Sequence, residues 1–135
     1  MKVAVRYYTR SGNTKKLAEA IAKAVQTEAL DVSAPLKEKV DVLFLGSSMY
    51  AGGVDEEIKR FLKENKAMIG KIYNFSTAAV ASSTYKQVQK LADENGIAMA
   101  KEEFHCRGSF TIMHRGRPNA QDLENAAAFA RGIKG

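Results

Sequence analysis

From Val3 to Tyr8 the chain is apolar, β-branched or aromatic at nearly every position and stops at a Thr/Ser/Gly turn, which predicts a buried strand. The period then changes. Leu17, Ile21 and Val25 recur every four residues with Ala18 and Ala22 between them, predicting an amphipathic helix over residues 14–26 that starts at the Ser11 to Thr14 turn. Leu30 to Ser33 reads as a short second strand. Val40 to Gly46 (VDVLFLG) is the strongest strand signal and apolar enough for the centre of a sheet. Val54, Ile58, Phe61 and Leu62 mark the next helix, ending near Asn65, and Lys71 to Thr77 the next strand. Val88, Leu91 and Ala92 mark a helix closed by Asn95-Gly96, and Phe104 to Phe110 reads as the last strand. The final helix starts at Pro118-Asn119, with Asn119 as N-cap, and runs through Leu123, Ala126, Ala127 and Ala130 to a stop at Gly132.

Strands alternating with helices imply βαβ units: an α/β, three-layer, doubly wound sandwich with a five-stranded, mainly parallel sheet. One link is short for this scheme. A parallel crossover takes about a dozen residues or more, but only residues 34–39 separate the second and third strands. Either the second strand ends earlier than its pattern suggests, or that crossover is a single tight turn.

Composition narrows the class. A chain of 135 residues with 45% hydrophobic content fits one domain over residues 1–135. The apolar run at the N-terminus is too brief for a signal peptide or a membrane span. Cys106 is the only cysteine, which excludes an internal disulfide and a cysteine-based metal cluster, so a cytoplasmic, metal-free protein is expected. The charge of +6 suits an anionic ligand, an acidic partner or nucleic acid without choosing among them. Basic residues are spread along the chain. Their tightest group, Arg107, Arg115 and Arg117, reads as solvated surface, and neither a nucleic-acid nor a membrane partner is expected.

In open α/β sheets ligands sit at the carboxyl ends of the strands, where the strand order reverses. That singles out the turns at Thr9 to Thr14, Ser47 to Val54 and Ser76 to Ser83, with Cys106 to Phe110 as a fourth contributor. The first carries three hydroxyls, Thr9, Ser11 and Thr14, around Gly12-Asn13 and opens onto a helix. Converging N–H groups, the positive end of the helix and small hydroxyl donors suit a phosphate. The same residues also suit a plain helix cap. The spacing of GxxxxGK[ST] is absent, as is GxGxxG, which argues against a nucleoside triphosphate or a dinucleotide.

The motif T-x-S-G-N-T after the first strand, GSSMYAGGV after the central one and FSTAA after the next together resemble the flavodoxin family. The later CRGSF and GRPNAQDLENAAAFA are similar to a group of short bacterial flavodoxin-like proteins. The resemblance implies strand order 2-1-3-4-5 and bound flavin mononucleotide (FMN). It places the phosphate on Thr9, Arg10, Ser11, Gly12, Asn13 and Thr14, sets Tyr50, Ala51, Gly52 and Gly53 along the isoalloxazine, and counts Ser48 and Met49 among the cofactor-binding residues. Ser76, Thr77, Ala78 and Ala79 would line the ribityl chain and ring. An aromatic ring can stack on a flavin, and glycine lets a peptide reorient as the flavin changes protonation; Tyr50 as a simple hydrophobic cover is the alternative.

The first functional reading is an FMN-binding electron-transfer protein, passing electrons to a redox partner protein or a small acceptor with no catalytic side chain of its own. A small FMN-dependent reductase of a quinone-type acceptor with a nicotinamide donor is the second, and a flavin-free module of the same fold the third. Two departures from the family bear on the choice. Family carriers are usually acidic with an aromatic on each flavin face, whereas this chain is basic, has no Trp, and offers only Tyr85 near the AAVASS loop. A basic setting would stabilise a reduced, anionic flavin and raise its potential. Cys106 lies between His105 and Arg107, but neighbours on a strand point to opposite faces, so a nucleophile is not expected. His114 reads as a surface residue.

Overall fold

The computed structural model describes residues 1–48, 54–78, 83–108 and 116–134. Five parallel strands form one sheet in the order β2-β1-β3-β4-β5: β1 Val3–Tyr7, β2 Ala29–Asp31, β3 Val40–Ser48, β4 Ile69–Ala78 and β5 Ala98–Arg107. The helices are α1 Asn13–Ala24, α2 Glu56–Asn65, α3 Tyr85–Glu94 and α4 Ala120–Lys134. Alternation along the strands sorts side chains into two cores. Val5, Tyr7, Val42, Phe44 and Phe75 pack under Leu17 and Ile21 of α1 and Ala126 and Ala130 of α4. Leu43, Leu45 and Ile72 pack on the other face under Ile58, Phe61 and Leu62 of α2 and Val88 and Leu91 of α3. The three-layer, doubly wound arrangement inferred from the sequence is the one observed.

Boundaries moved where neighbours outweighed local pattern. β2 is Ala29–Asp31, earlier than Leu30 to Ser33, β3 runs on to Ser48, and β4 begins at Ile69, ahead of Lys71. β5 begins at Ala98 instead of Phe104. Its first half hides as a strand because it lies at the sheet edge and bulges: Ile72 pairs with Met99 but Asn74 with Glu103, so alternation is lost and Lys101 and Glu102 are exposed. A bulged, charged edge resists pairing with other chains. α4 continues through Gly132 because Ile133 packs against the core beneath it.

The short link is neither a helix nor a tight turn. Residues 32–39 run without a helix or strand from β2 over the α2/α3 face of β1 to β3, burying Val32 and Leu36 there. Arg6 takes the place of crossover packing. It is 7% exposed, and its guanidinium donates to the carbonyls of Ala34 at 2.9 Å, Pro35 at 3.1 Å and Val5 at 3.1 Å. Asn65, at the end of α2, accepts the Leu36 N–H at 3.0 Å and donates to the Phe61 carbonyl at 2.9 Å.

Candidate functional site

β1 is bonded to β2 on one side and to β3 on the other, so the chain departs in opposite directions from its two edges and leaves a crevice beyond its carboxyl end. The Thr9 to Thr14 turn occupies that position. Gly12 adopts φ +91° in the left-handed region and stands at the head of α1, a conformation glycine takes at little cost. The Thr9 hydroxyl accepts the Gly12 N–H at 3.0 Å and the Ser11 hydroxyl accepts the Asn13 N–H at 3.4 Å, so each keeps its own O–H to donate. The first bond of the helical ladder runs from the Lys16 N–H to the Gly12 carbonyl, at 3.3 Å. The amides of Thr14 and Lys15 therefore precede the ladder, as the opening N–H groups of a helix do.

Thr14 looks inward. It is fully buried, and its hydroxyl lies 2.6 Å from Ser48 Oγ and 2.9 Å from Thr77 Oγ1, with Ser48 and Thr77 3.2 Å apart. Three hydroxyls from three strand-end turns thus close a triangle. The Thr14 hydroxyl can also donate to the Ser47 carbonyl, at 3.4 Å. The close approach depends on two glycines. A Cβ on Gly46 would stand 2.3 Å from the Phe75 ring and 2.9 Å from Thr14 Cγ2; one on Gly108 would stand 2.9 Å from Asn13 Nδ2 and 3.1 Å from Thr77 Cβ. Gly108 also donates its N–H to the Ala78 carbonyl at 3.3 Å, joining the ends of β4 and β5 beside Asn13.

Ser76 does not join this group. Adjacent residues on a strand face opposite ways, and the register pairs Ser47 with Ser76 and Ser48 with Thr77. Ser48 and Thr77 therefore face α1, while Ser47 and Ser76 face α3. On the α3 side the Ser47 hydroxyl donates to Thr84 Oγ1 at 2.8 Å, Asn74 Nδ2 donates to the same oxygen at 3.1 Å, and the Thr84 N–H reaches Ser76 Oγ at 3.4 Å. All four residues are essentially inaccessible to solvent. The sequence marks Ser47 only as the start of a candidate turn and does not mark Asn74 or Thr84 at all. The one local sign was a polar Asn inside the apolar run Ile72 to Phe75.

Arg10 is paired with Asp55: its Nε donates to Asp55 Oδ1 at 3.0 Å and its Nη2 to the same oxygen, tying the first turn to the head of α2. Met49, Tyr50, Ala51, Gly52, Gly53 and Ala79 lie outside the described residues, as do His114 and Arg115. Arg117 pairs with Asp122 through two bonds of 2.5 and 2.8 Å, and this guanidinium holds the Asp122 carboxyl below its ordinary value. Asn119 and Asp122 cap α4 reciprocally, with N–H to carboxylate and N–H to amide oxygen distances of 2.8 and 2.9 Å. Cys106 is half-buried on the α1/α4 face, and burial pushes its thiol up to about 11, which suppresses the reactive thiolate. His105 projects from the opposite face, where Nδ1 meets Glu103 Oε2 at 2.9 Å, so the two side chains do not meet. Among the described residues no group of three or more His, Cys, Asp and Glu gathers as a metal set, and no helix is long and apolar enough to cross a membrane.

Residues 4–110 match the flavodoxin domain. The chain belongs to the flavodoxin family. No curated protein sequence matches it, but solved structures share the fold over nearly its whole length. A flavodoxin from the domain Archaea superposes with a TM-score of 0.78 at 18% identity, covering 98% of this chain and 96% of the other. A flavodoxin, WrbA-like protein from Agrobacterium tumefaciens gives 0.73 at 18% identity, with 97% and 93% covered. A flavoprotein from Lactobacillus acidophilus, solved in complex with FMN, gives 0.61 at 19% identity, with 77% and 92% covered. Within this flavodoxin fold, the Thr9 to Thr14 turn stands at the reversal point of the strand order.

Proposed function

We propose that this flavodoxin-family protein binds FMN at the carboxyl end of its sheet and works as an electron carrier. The observation that carries the reading is the Thr9 to Thr14 turn: a left-handed Gly12 at the head of α1, two hydroxyls with O–H groups still to donate, and opening amides that precede the helical ladder. These groups fit a phosphate dianion, which dipoles and hydroxyl donors stabilise without a paired cation. Thr9, Ser11, Gly12 and Asn13 would hold the phosphate. Thr14, Ser48 and Thr77 would form the floor beneath it, and Ala78 and Gly108 would border the ribityl chain. The flavin supplies the redox chemistry when bound; the chain's own residues bind and orient it. The electron would pass to a redox partner protein or a small acceptor in the cytoplasm.

The test is a titration of the purified protein with FMN and with riboflavin, followed by flavin fluorescence. The expected result is tight uptake of FMN and much weaker uptake of riboflavin, which lacks the phosphate. Failure to take up FMN would overturn both the carrier and the reductase readings and leave a flavin-free module. Steady nicotinamide oxidation with a quinone and no added reductase would replace the carrier by the reductase.

A further inference from the structure

The carboxyl ends of β3 and β4 carry two polar clusters back to back. Ser48 and Thr77 close the hydroxyl triangle with Thr14 on the α1 face, while their chain neighbours Ser47 and Ser76 meet Thr84 and Asn74 on the α3 face. Asn74 is the unusual member. Its side chain is completely buried, Nδ2 donates to Thr84, and Oδ1 has no hydrogen-bond donor among the described residues. An unmet buried acceptor is a standing cost to the fold, and an apolar side chain of similar size would fill the same space without it. Such a cost, placed at a functional end of a sheet, points to a role that packing does not supply.

We propose that Asn74 is a positioning residue for the Thr9 to Thr14 turn, a role that rests on the phosphate reading above. Asn74 and Ser47 both donate to one oxygen of Thr84, so the start of α3 is fixed against β4 and β3 at once. The Thr84 N–H to Ser76 adds a third tie. Because Ser47-Ser48 and Ser76-Thr77 are adjacent pairs in register, fixing the first member of each pair on the α3 side fixes the second on the α1 side. The triangle that supports Thr14 is therefore held from behind by a residue that touches neither the turn nor its ligand.

The test uses Asn74→Leu in the full chain, read in two ways. In the ligand-free protein, backbone amide NMR resonances of Ser48 and Thr77 on the far face should move, whereas a residue that only packs locally would leave them unchanged. In the titration, FMN binding should weaken about tenfold while riboflavin binding stays the same, because the support is for the phosphate end. Unmoved Ser48 and Thr77 amides overturn the proposal, as does FMN affinity within twofold of the parent, or an equal loss for FMN and riboflavin. If Asn74→Leu does not fold, Thr84→Val removes the shared oxygen while keeping the shape and carries the same expectations. A parent protein that takes up no FMN defeats the phosphate reading alone; the amide resonances then decide whether Asn74 sets the strand ends.

Discussion

Arg6→Met tests whether a buried guanidinium stands in for the missing crossover helix. Arg6 donates to the carbonyls of Ala34 and Pro35 in the link and to Val5 beside it, and no backbone N–H of the described residues bonds either link carbonyl. Removing the donor leaves the half-buried Ala34 carbonyl short of a partner at about 1–3 kcal/mol, and that of exposed Pro35 at less because water reaches it; the bonds lost, to a charged donor, stand at about 1.5–3 kcal/mol. Against this stands the penalty of burying the charge, several kcal/mol in general. Burial lowers the Arg6 pKa, partly countered by Glu28, so the penalty is real. The carbonyls decide the balance: an ion pair removed as a unit leaves nothing behind, but the link's acceptors stay. The expected net loss is about 2–4 kcal/mol, a large share of the roughly 5–15 kcal/mol typical of a domain. In urea unfolding followed by circular dichroism, the midpoint should fall by about 1–2 M at a typical slope. Arg6→Lys keeps the charge without the planar fork and should recover only part of the loss. A midpoint for Arg6→Met equal to or above the parent would refute the reasoning and show that relief of desolvation outweighs the link's hydrogen bonds.

Gly46→Ala should destabilise by at least about 1–3 kcal/mol, since its Cβ would stand 2.3 Å from the Phe75 ring in the middle of the sheet; an unchanged thermal midpoint would show that Phe75 and α1 can yield. Cys106, with its thiol pushed from 9.0 to about 11 by burial, should react with iodoacetamide at pH 8 about a hundredfold more slowly than an ordinary thiol, and recover full reactivity in urea. Labelling of the native protein at the rate of a free thiol would contradict that burial. Asp122 has a folded pKa below its ordinary 3.8, chiefly through the Arg117 hydrogen bonds, so its stabilisation is fully present above that value and is lost as the pH falls below it. Asp122→Asn should therefore be less stable than the parent at neutral pH and lose less on acidification, and parallel stability curves for the two down to pH 2 would be the contrary result.

Local periodicity revealed those elements whose surroundings repeat the local signal. β1, β3 and α1 to α3 are buried on the faces their patterns mark, and Asn119 caps α4 as its position suggests. The start of β5 was not legible, because an edge strand with a bulge neither alternates nor excludes charge. The link was not legible either: Arg6 in VAVRYY looks like any charge on a half-exposed strand until topology buries it. The turn at Thr9 to Thr14 was readable because its chemistry is contiguous in the chain. Ser76 shows the limit of contiguity. Its motif sets it beside Thr77, but a strand sends neighbours to opposite faces, so only one of the pair reaches the Thr14 cluster. Thr84 and Asn74 are ten residues apart and become partners only through the sheet register.

The bulk charge of the chain is a poor guide to the field at its ligand end. A surplus of +6 suggests a flavin in a basic setting, with its reduced anion stabilised. The distribution shows which charges count. At the carboxyl end of the sheet Arg10 is paired with Asp55 and Arg117 with Asp122, and α2 opens with Glu56 and Glu57 against Lys15 and Lys16 in the first turn of α1. Lys2, Lys39 and Lys71 stand at the starts of β1, β3 and β4, and Lys37 and Lys66 in the segments leading into β3 and β4. In a parallel sheet that is the opposite end of the molecule. β3 alone has nine residues, roughly 30 Å at about 3.3 Å per residue, whereas charges in physiological salt are screened over about 8 Å. The lysines at the far end thus contribute little at the crevice, whose field comes from the groups around the strand-end turns: the Arg10–Asp55 and Arg117–Asp122 pairs, Arg107 at the end of β5, and the opposed first turns of α1 and α2. The potential of a flavin held there would be set by the hydrogen bonds and enclosure of the strand-end turns, not by the isoelectric point of the chain.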